Sequence, residues 1–223
     1  MTIAIGHRGA MGHELENSMA SFKKAVQLGV EMIEFDVRLT ADRIPIVFHD
    51  YFTRRLTGKQ GLISRITLDR IPKFPLNNGE KVPTLDEVCE FISSARVQAY
   101  IEVKVRDRRG IIISKALEHF PPEQFYIGSF DRTYLANIER HYPEVRTIAI
   151  TFRKGKELAR FIETGEEDCF SVQHRSITPE IVEIVRRRDK KIFAWTANKP
   201  EDIARVKSLG IDGIVSDFPE RIK

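Results

Sequence analysis

The sequence predicts an α/β fold in which eight parallel strands close into a barrel sheathed by helices, a (β/α)8 barrel. Three observations carry that expectation. Short apolar runs alternate with longer helical patterns along the whole chain. The runs that can be parallel strands number eight. The residues able to do chemistry, among them His7, Glu34, Asp36, Glu102, Lys104, Ser129 and Trp195, fall at or near the C-terminal ends of those runs, where a barrel of this kind places its active site.

In chain order, a strand near Thr2–His7 is followed by a helix near Asn17–Leu28 and a second strand near Val30–Leu39. Within this strand Glu34-Phe35-Asp36-Val37 alternates strictly. Successive side chains of a strand face opposite sides, so both carboxylates point into the mouth while Phe35 and Val37 pack under the helices. A helix near Thr84–Ser94 leads to the strand Ala99–Val105, where Glu102-Val103-Lys104-Val105 repeats the device with an acid and a base. Strands then read near Gln124–Ser129, Val145–Thr151, Asp168–Gln173, Lys191–Thr196 and Gly213–Ser216. The helices between them read near Gly110–His119, Arg132–His141, Lys154–Glu163, Pro179–Arg188 and Pro200–Leu209. No linker or low-complexity segment interrupts the series, so a single domain over residues 1–223 is expected.

One run does not fit the parallel scheme. Ile44–Phe48 begins only a few residues after Leu39, too close for a crossover, so the two must form an antiparallel hairpin, an excursion after the second strand. Folding about Asp42 pairs residues whose numbers sum to about 84 or 85. That register lays Phe48 and His49 beside Asp36.

Three acids converging with one lysine are unlike a structural ion pair, because buried charge is costly unless paired or bound to a metal. Glu34, Asp36 and Glu102 offer only oxygen, which suits a hard divalent cation such as Mg²⁺ or Ca²⁺, with Mn²⁺ also accommodated, and argues against zinc. Arg8 and Lys104 are placed to neutralise phosphate charge. Two histidines and an oxygen-only metal site point to hydrolysis of a phosphodiester.

At these residues the chain resembles the glycerophosphodiester phosphodiesterase family, whose fold is a TIM barrel. The resemblance rests on His7-Arg8-Gly9, Glu16-Asn17-Ser18, Glu34-Phe35-Asp36-Val37, His49-Asp50 with Arg55-Leu56-Thr57-Gly58, and Pro83-Thr84-Leu85. It continues through Glu102-Val103-Lys104, Ser129-Phe130-Asp131, Trp195-Thr196-Ala197-Asn198, Gly210-Ile211-Asp212-Gly213-Ile214 and Ser216-Asp217-Phe218-Pro219, spanning nearly the whole chain. Leu15 stands where the family usually has proline and Ala197 where valine is common, and the segment after His49 is short.

The resemblance implies that His7 and His49 act as the acid–base pair on a glycerophosphodiester, releasing glycerol 3-phosphate and an alcohol. It leaves open which histidine is the base, and whether water or the glycerol 2-hydroxyl attacks. Glu16 and Asn17 match a family motif and begin a helix beside the first strand end, so Asn17 is expected to serve mainly as a cap, with Glu16 near the metal. Trp195 is expected against the alcohol or a cationic headgroup, with a packing aromatic as the competing reading. His174 ends a strand and is expected to touch substrate, as is Ser129. Two other readings stay open: the same site acting on lysophospholipids or related lipid headgroups, and a barrel that binds phosphodiesters without turnover.

Composition excludes several classes. The two cysteines, Cys89 and Cys169, support neither a disulfide framework nor a zinc site. Gly6-His7-Arg8-Gly9 is neither a dinucleotide fingerprint nor a P-loop, so no nucleoside cofactor is expected. The net charge of +4 and pI near 9.1 are compatible with drawing anionic phosphodiesters to the site, but a surplus of this size is more often only a solvated surface. Arg186-Arg187-Arg188 with Lys190-Lys191 reads as a cationic helix C-terminus and not as a nucleic-acid site. No run is long enough to cross a bilayer, and the strand follows Met1 without a leader pattern, so a cytoplasmic protein is expected.

Overall fold

The structure, a computed structural model, is described for residues 2–223. Among the described residues there are nine strands: β1 (Ile3–Gly6), β2 (Met32–Leu39), β3 (Pro45–Val47), β4 (Gln98–Val103), β5 (Phe125–Ser129), β6 (Arg146–Thr151), β7 (Cys169–Gln173), β8 (Lys191–Trp195) and β9 (Gly213–Ser216). Eight of them are parallel, run in the order β1-β9-β8-β7-β6-β5-β4-β2, and close through β1 against β2. The fold is therefore the TIM barrel that the alternation predicts.

The ninth strand is the hairpin. β3 pairs antiparallel with the end of β2 through Val37↔Val47, Arg38↔Ile46 and Leu39↔Pro45, the register expected for a fold about Asp42. Along its first residues the same edge of β2 is taken by β1, through Ile5↔Met32 and Gly6↔Ile33. β2 thus outruns β1, and β3 fills the edge left free. The Phe48 amide donates to the Asp36 carbonyl at 2.9 Å, which brings His49 back to the mouth.

Helices follow the strands where local chemistry starts them. The barrel helices are α1 (Met19–Gln27), α3 (Leu85–Ala95), α4 (Ile111–His119), α5 (Arg132–His141), α6 (Gly155–Glu163), α7 (Pro179–Arg187) and α8 (Pro200–Ser208), and α2 (Arg54–Thr57) is a single turn in the excursion. Ser18, Asp131 and Thr178 cap α1, α5 and α7, and Thr84 with Glu87 forms a capping box on α3. After β9 a 3-10 turn, Pro219–Ile222, replaces an eighth long helix.

Three cores result. The largest lies between barrel and helices and takes Phe35 and Val37 from the outer face of β2. A small plug fills the barrel itself, built from Ile5, Met32, Tyr100, Tyr126, Ile148, Ile150, Cys169, Phe193 and Val215. Gly128 is needed there, because a Cβ at that position would run into the Tyr100 ring. The third core sits under the excursion, where Ile46, Phe48, Leu56, Ile63, Ile66, Ile71, Leu76 and Val82 pack together with Leu15 against them. The segment after His49 thus packs its own small core against Ile46 and Phe48 of the hairpin.

Candidate active site

At the mouth a cleft of about 440 Å³ opens above the plug, with Tyr100, Ile150 and Val215 as its floor. His7, Arg8, Glu34, His49, Glu102 and Lys104 line its polar half, and Phe130, Phe152 and Trp195 its apolar half. The expectation for these positions joins residues 188 apart in sequence at one place.

The three carboxylates meet. Glu34, Asp36 and Glu102 each turn one oxygen to a common point, all within 4.8 Å of one another. Two ligands of one hard cation, at about 2.0–2.6 Å each, span no more than roughly that distance. Asp36 is fully buried, and its Oδ1 has no hydrogen-bond donor in proper geometry, although Lys104 Nζ stands 3.1 Å away. Burial, then the charges of Asp36 and Glu102, push the Glu34 carboxyl well above the ordinary carboxylate range. Glu102 is pushed up to about 7 by burial and then by Asp36. Burial acts upward on Asp36 as well, but Lys104 and Arg8 outweigh it and hold that carboxyl low. Acids that resist ionising together, all oxygen donors, fit a divalent cation.

Cations frame the cluster. Arg8 Nε lies 3.1 Å from Asp36 Oδ2, and Lys104 also bonds Glu102. Arg8 has φ 49°, an uncommon left-handed conformation for a residue other than glycine. That conformation aims its amide at Glu34 Oε2, 2.9 Å away.

Both histidines are held the same way. His7 Nδ1 is 2.6 Å from Asp217 Oδ1, and His49 Nδ1 is 2.7 Å from Asp50 Oδ1. With Nδ1 engaged, Nε2 is left for the cleft; that of His7 lies 4.0 Å from Glu34 Oε2. Asp217 is oriented in turn by Asn198 Nδ2 at 2.6 Å. Asp50 is gripped by Arg55, whose Nε donates to it at 2.6 Å, and Arg55 with His49 keeps its pKa at about 2 against the upward push of burial. Burial shifts His49 toward the neutral form.

Four expected residues have more specific surroundings. Glu16 is close to the cluster but outside it: Arg8 donates to it at 2.6 Å, and Arg55 takes both its oxygens at 2.6 and 2.8 Å. Asn17 is not the helix cap. Ser18 accepts the Ser21 amide in that role, whereas Asn17, at φ 56°, donates from Nδ2 to Asp36 Oδ2 at 2.8 Å. Ser129 is buried, accepts the Asp131 amide at 3.1 Å and lies along a groove with Glu102 and Lys104. His174 starts a 3-10 turn after β7, away from the cleft walls, with Nδ1 3.6 Å from Asp202.

Sequence reasoning missed Asp217 and Asp50 as partners of the histidines, and Arg55 as the link between Asp50 and Glu16. All three lie in the quoted motifs, but a motif does not say where a side chain points. It also missed Phe130 and Phe152. Their rings stack at 5.2 Å, and Trp195 meets Phe152 edge-on at 4.8 Å.

A parallel barrel whose mouth joins two histidines to an oxygen-only acid cluster has the makings of a metal-dependent hydrolase of the TIM-barrel class. The model of the glycerophosphoryl diester phosphodiesterase family matches residues 7–221. A glycerophosphodiester phosphodiesterase from Caldanaerobacter subterraneus subsp. tengcongensis is 32% identical over 99% of this chain and 96% of its own. Among solved structures, an Oleispira antarctica phosphodiesterase in complex with the product sn-glycerol-3-phosphate superposes with a TM-score of 0.89 at 25% identity, covering 98% of this chain and 94% of the other. A glycerophosphodiester phosphodiesterase from Thermotoga maritima gives 0.84 at 25% identity, covering 99% and 96%. The chain belongs to the glycerophosphodiester phosphodiesterase family and is a phosphoric diester hydrolase. The reading as a binding barrel without turnover is thereby set aside. Among the described residues no helix is long and apolar enough to cross a membrane.

Proposed function

We propose that this enzyme, a single barrel domain over residues 1–223, cleaves glycerophosphodiesters to glycerol 3-phosphate and the free alcohol, using His7 and His49 as its acid–base pair. The observation that carries the proposal is the matched setting of the two histidines: each has Nδ1 tied to an aspartate and lines the same cleft as Glu34 and Glu102. Fixing Nδ1 fixes the orientation of the ring, so that Nε2 can take a proton from the nucleophile in one case and give one to the leaving alkoxide in the other.

Glu34, Asp36 and Glu102 would hold a divalent cation, Mg²⁺, Ca²⁺ or Mn²⁺ by donor type. When bound, it supplies charge that stabilises the phosphoryl oxygens and orients the nucleophile. Arg8 and Lys104 reach the same cleft and neutralise the remaining phosphate charge. Asn17 and Arg8 hold Asp36 in place from the side away from Lys104. Trp195, with Phe130 and Phe152, walls the side open to the alcohol. Ser129 steadies the loop that carries Phe130.

The test is turnover of glycerophosphocholine with and without divalent ions, with glycerol 3-phosphate as the readout. Activity abolished by chelator and restored by a divalent ion is expected. Full activity in excess chelator, or release of phosphocholine in place of glycerol 3-phosphate, would contradict the assignment.

A further inference from the structure

All four large hydrophobic side chains that stand exposed among the described residues gather at one end of the molecule: Tyr51 at 64%, Phe52 at 51%, Phe130 at 43% and Phe152 at 60%. Each follows a strand end at the mouth, and each lines a groove that joins the catalytic cleft. Phe130 and Phe152 border the cleft itself, and Tyr51 shares a groove with Phe130 and His49. Phe52 shares another groove with Tyr51 and His49. Singly exposed apolar residues are ordinary; four around one opening form a contact surface.

Two loops at the same mouth carry almost only positive charge, and the acids beside the exposed rings, Asp50 and Asp131, are paired with Arg55 and Arg106. The segment after β4, Lys104-Val105-Arg106-Asp107-Arg108-Arg109, and the segment after β6, Phe152-Arg153-Lys154-Gly155-Lys156, carry a single acid between them. That acid, Asp107, is buried and spent: its Oδ2 accepts the Ile112 amide at 2.7 Å and its Oδ1 faces Arg43 at 3.6 Å. Arg106 pairs with Asp131 at 3.2 Å. Arg108, Arg109, Lys154 and Lys156 are exposed, and among the described residues none of the four meets a carboxylate within ion-pair distance. Unpaired cations on a surface that also presents aromatic rings match an anionic lipid interface, where phosphates meet the cations and rings settle at headgroup depth.

We infer that the mouth of the barrel docks on an anionic lipid surface through Tyr51, Phe52, Phe130 and Phe152 together with Arg108, Arg109, Lys154 and Lys156. In that pose the catalytic cleft opens directly onto the headgroup layer, and phosphodiesters anchored in a bilayer reach it without leaving the surface. The inference rests on the proposed function only in what the docked enzyme would cleave; the docking itself is independent of turnover. A protein partner is the less favoured occupant, because the charges the rim leaves unpaired, Arg108, Arg109, Lys154 and Lys156, are all cations, while its acids Asp50 and Asp131 are already paired with Arg55 and Arg106.

The experiment is sedimentation of the full chain with vesicles of phosphatidylcholine alone, and of phosphatidylcholine with about 30% phosphatidylglycerol, at about 0.1 M and about 1 M salt, where the screening length falls from roughly 10 to 3 Å. The one tryptophan of the chain, Trp195, packs against Phe152 and serves as an optical reporter. Binding at least tenfold stronger to the anionic vesicles, weakened in high salt and accompanied by a blue shift of Trp195 emission, is expected. The quadruple variant Arg108→Glu, Arg109→Glu, Lys154→Glu, Lys156→Glu should lose that binding yet hydrolyse soluble glycerophosphocholine at the normal rate. Phe52→Ser should weaken it severalfold. Equal or absent partition onto both vesicles, the outcome expected if a protein covers the rim, would overturn the inference, as would unchanged partition of the quadruple variant. Vesicle binding without hydrolysis of glycerophosphocholine would leave the docking standing and overturn the proposed function instead.

Discussion

The two ends of this barrel use the same residue types to opposite purpose. At the floor, acids just ahead of strands satisfy backbone donors of the neighbouring strand: Glu31 accepts the Ala4 amide at 2.8 Å, Asp168 that of Thr147 at 2.8 Å, and Asp212 that of Ile192 at 2.9 Å. Cations there are spent in the same way. Arg188 donates to the Gly165 carbonyl at 2.6 Å, Arg186 to that of Gly210 at 3.1 Å, and Lys190 to that of Glu166 at 2.7 Å. At the mouth, Glu34, Asp36 and Glu102 face one another, and two of them are pushed toward the neutral form. The floor satisfies its polar groups, and the mouth keeps charge in conflict. Strain of that kind is retained where a ligand relieves it.

The largest effect should come from the mouth. His7→Ala and His49→Ala are each expected to lower kcat by roughly 10²–10⁴-fold, the usual worth of general acid–base catalysis, with the melting temperature little changed. Steady-state kinetics with thermal melts check both. Near-normal turnover in either variant would remove that histidine from the mechanism and blur the contrast between the ends.

A smaller loss is expected one step back from the chemistry. Asp217→Asn and Asp50→Asn keep the volume but loosen the hold on Nδ1 of His7 and His49, and should lower kcat by about 10–100-fold while KM moves little. A KM effect in place of a kcat effect would mean that these aspartates shape the cleft and do not orient the rings.

The floor should answer in stability alone. Asp212→Ala leaves the buried Ile192 amide without its acceptor and is expected to cost about 1–3 kcal/mol. For a chain of this size that is about 2–4 °C of melting temperature for each kcal/mol, with kcat unchanged. Denaturation curves and kinetics of one preparation decide it.

This contrast was only half legible in the sequence. Strict alternation at Glu34-Phe35-Asp36-Val37 dictates which side chains enter the mouth, and the short spacing to Ile44 dictates the hairpin and its register, because both follow from strand geometry alone. The barrel helices were legible to within a few residues for the same reason, a sustained apolar period. The excursion was not: its apolar residues are gathered by a one-turn helix and two 3-10 turns too short to set a period. Asp212 sits in a quoted motif beside Asp217, yet one ties down a strand and the other orients a histidine. Nothing in the residue letters separates them, since the difference lies in which end of a strand each occupies. The arginine cluster before Lys190 reads as a favourable helix C-terminus, whereas Arg186 and Arg188 reach past their own helix to carbonyls of adjacent loops. Nothing in the residue letters marks Phe130 and Phe152 as exposed, and only the fold shows it.

The smallest effect is also the one that separates the two ends most directly. In metal-free protein the folded-state pKa of Glu102, about 7, stands above its ordinary value of 4.5. Folding therefore favours its protonated form, and the stability this contributes is present below about pH 4.5 and lost as pH rises through about 7. Glu102→Gln cannot titrate, so its melting temperature relative to the parent should climb between about pH 5 and about pH 8 in chelator. Asp212→Ala should lie below the parent across the same range. The decisive measurement is the metal-free melting temperature of parent, Glu102→Gln and Asp212→Ala at about pH 8: removing an acid should stabilise at the mouth and destabilise at the floor. A loss of stability in both variants would contradict the account, because it would mean that Glu102 is a satisfied structural acid and that the mouth holds no unrelieved charge.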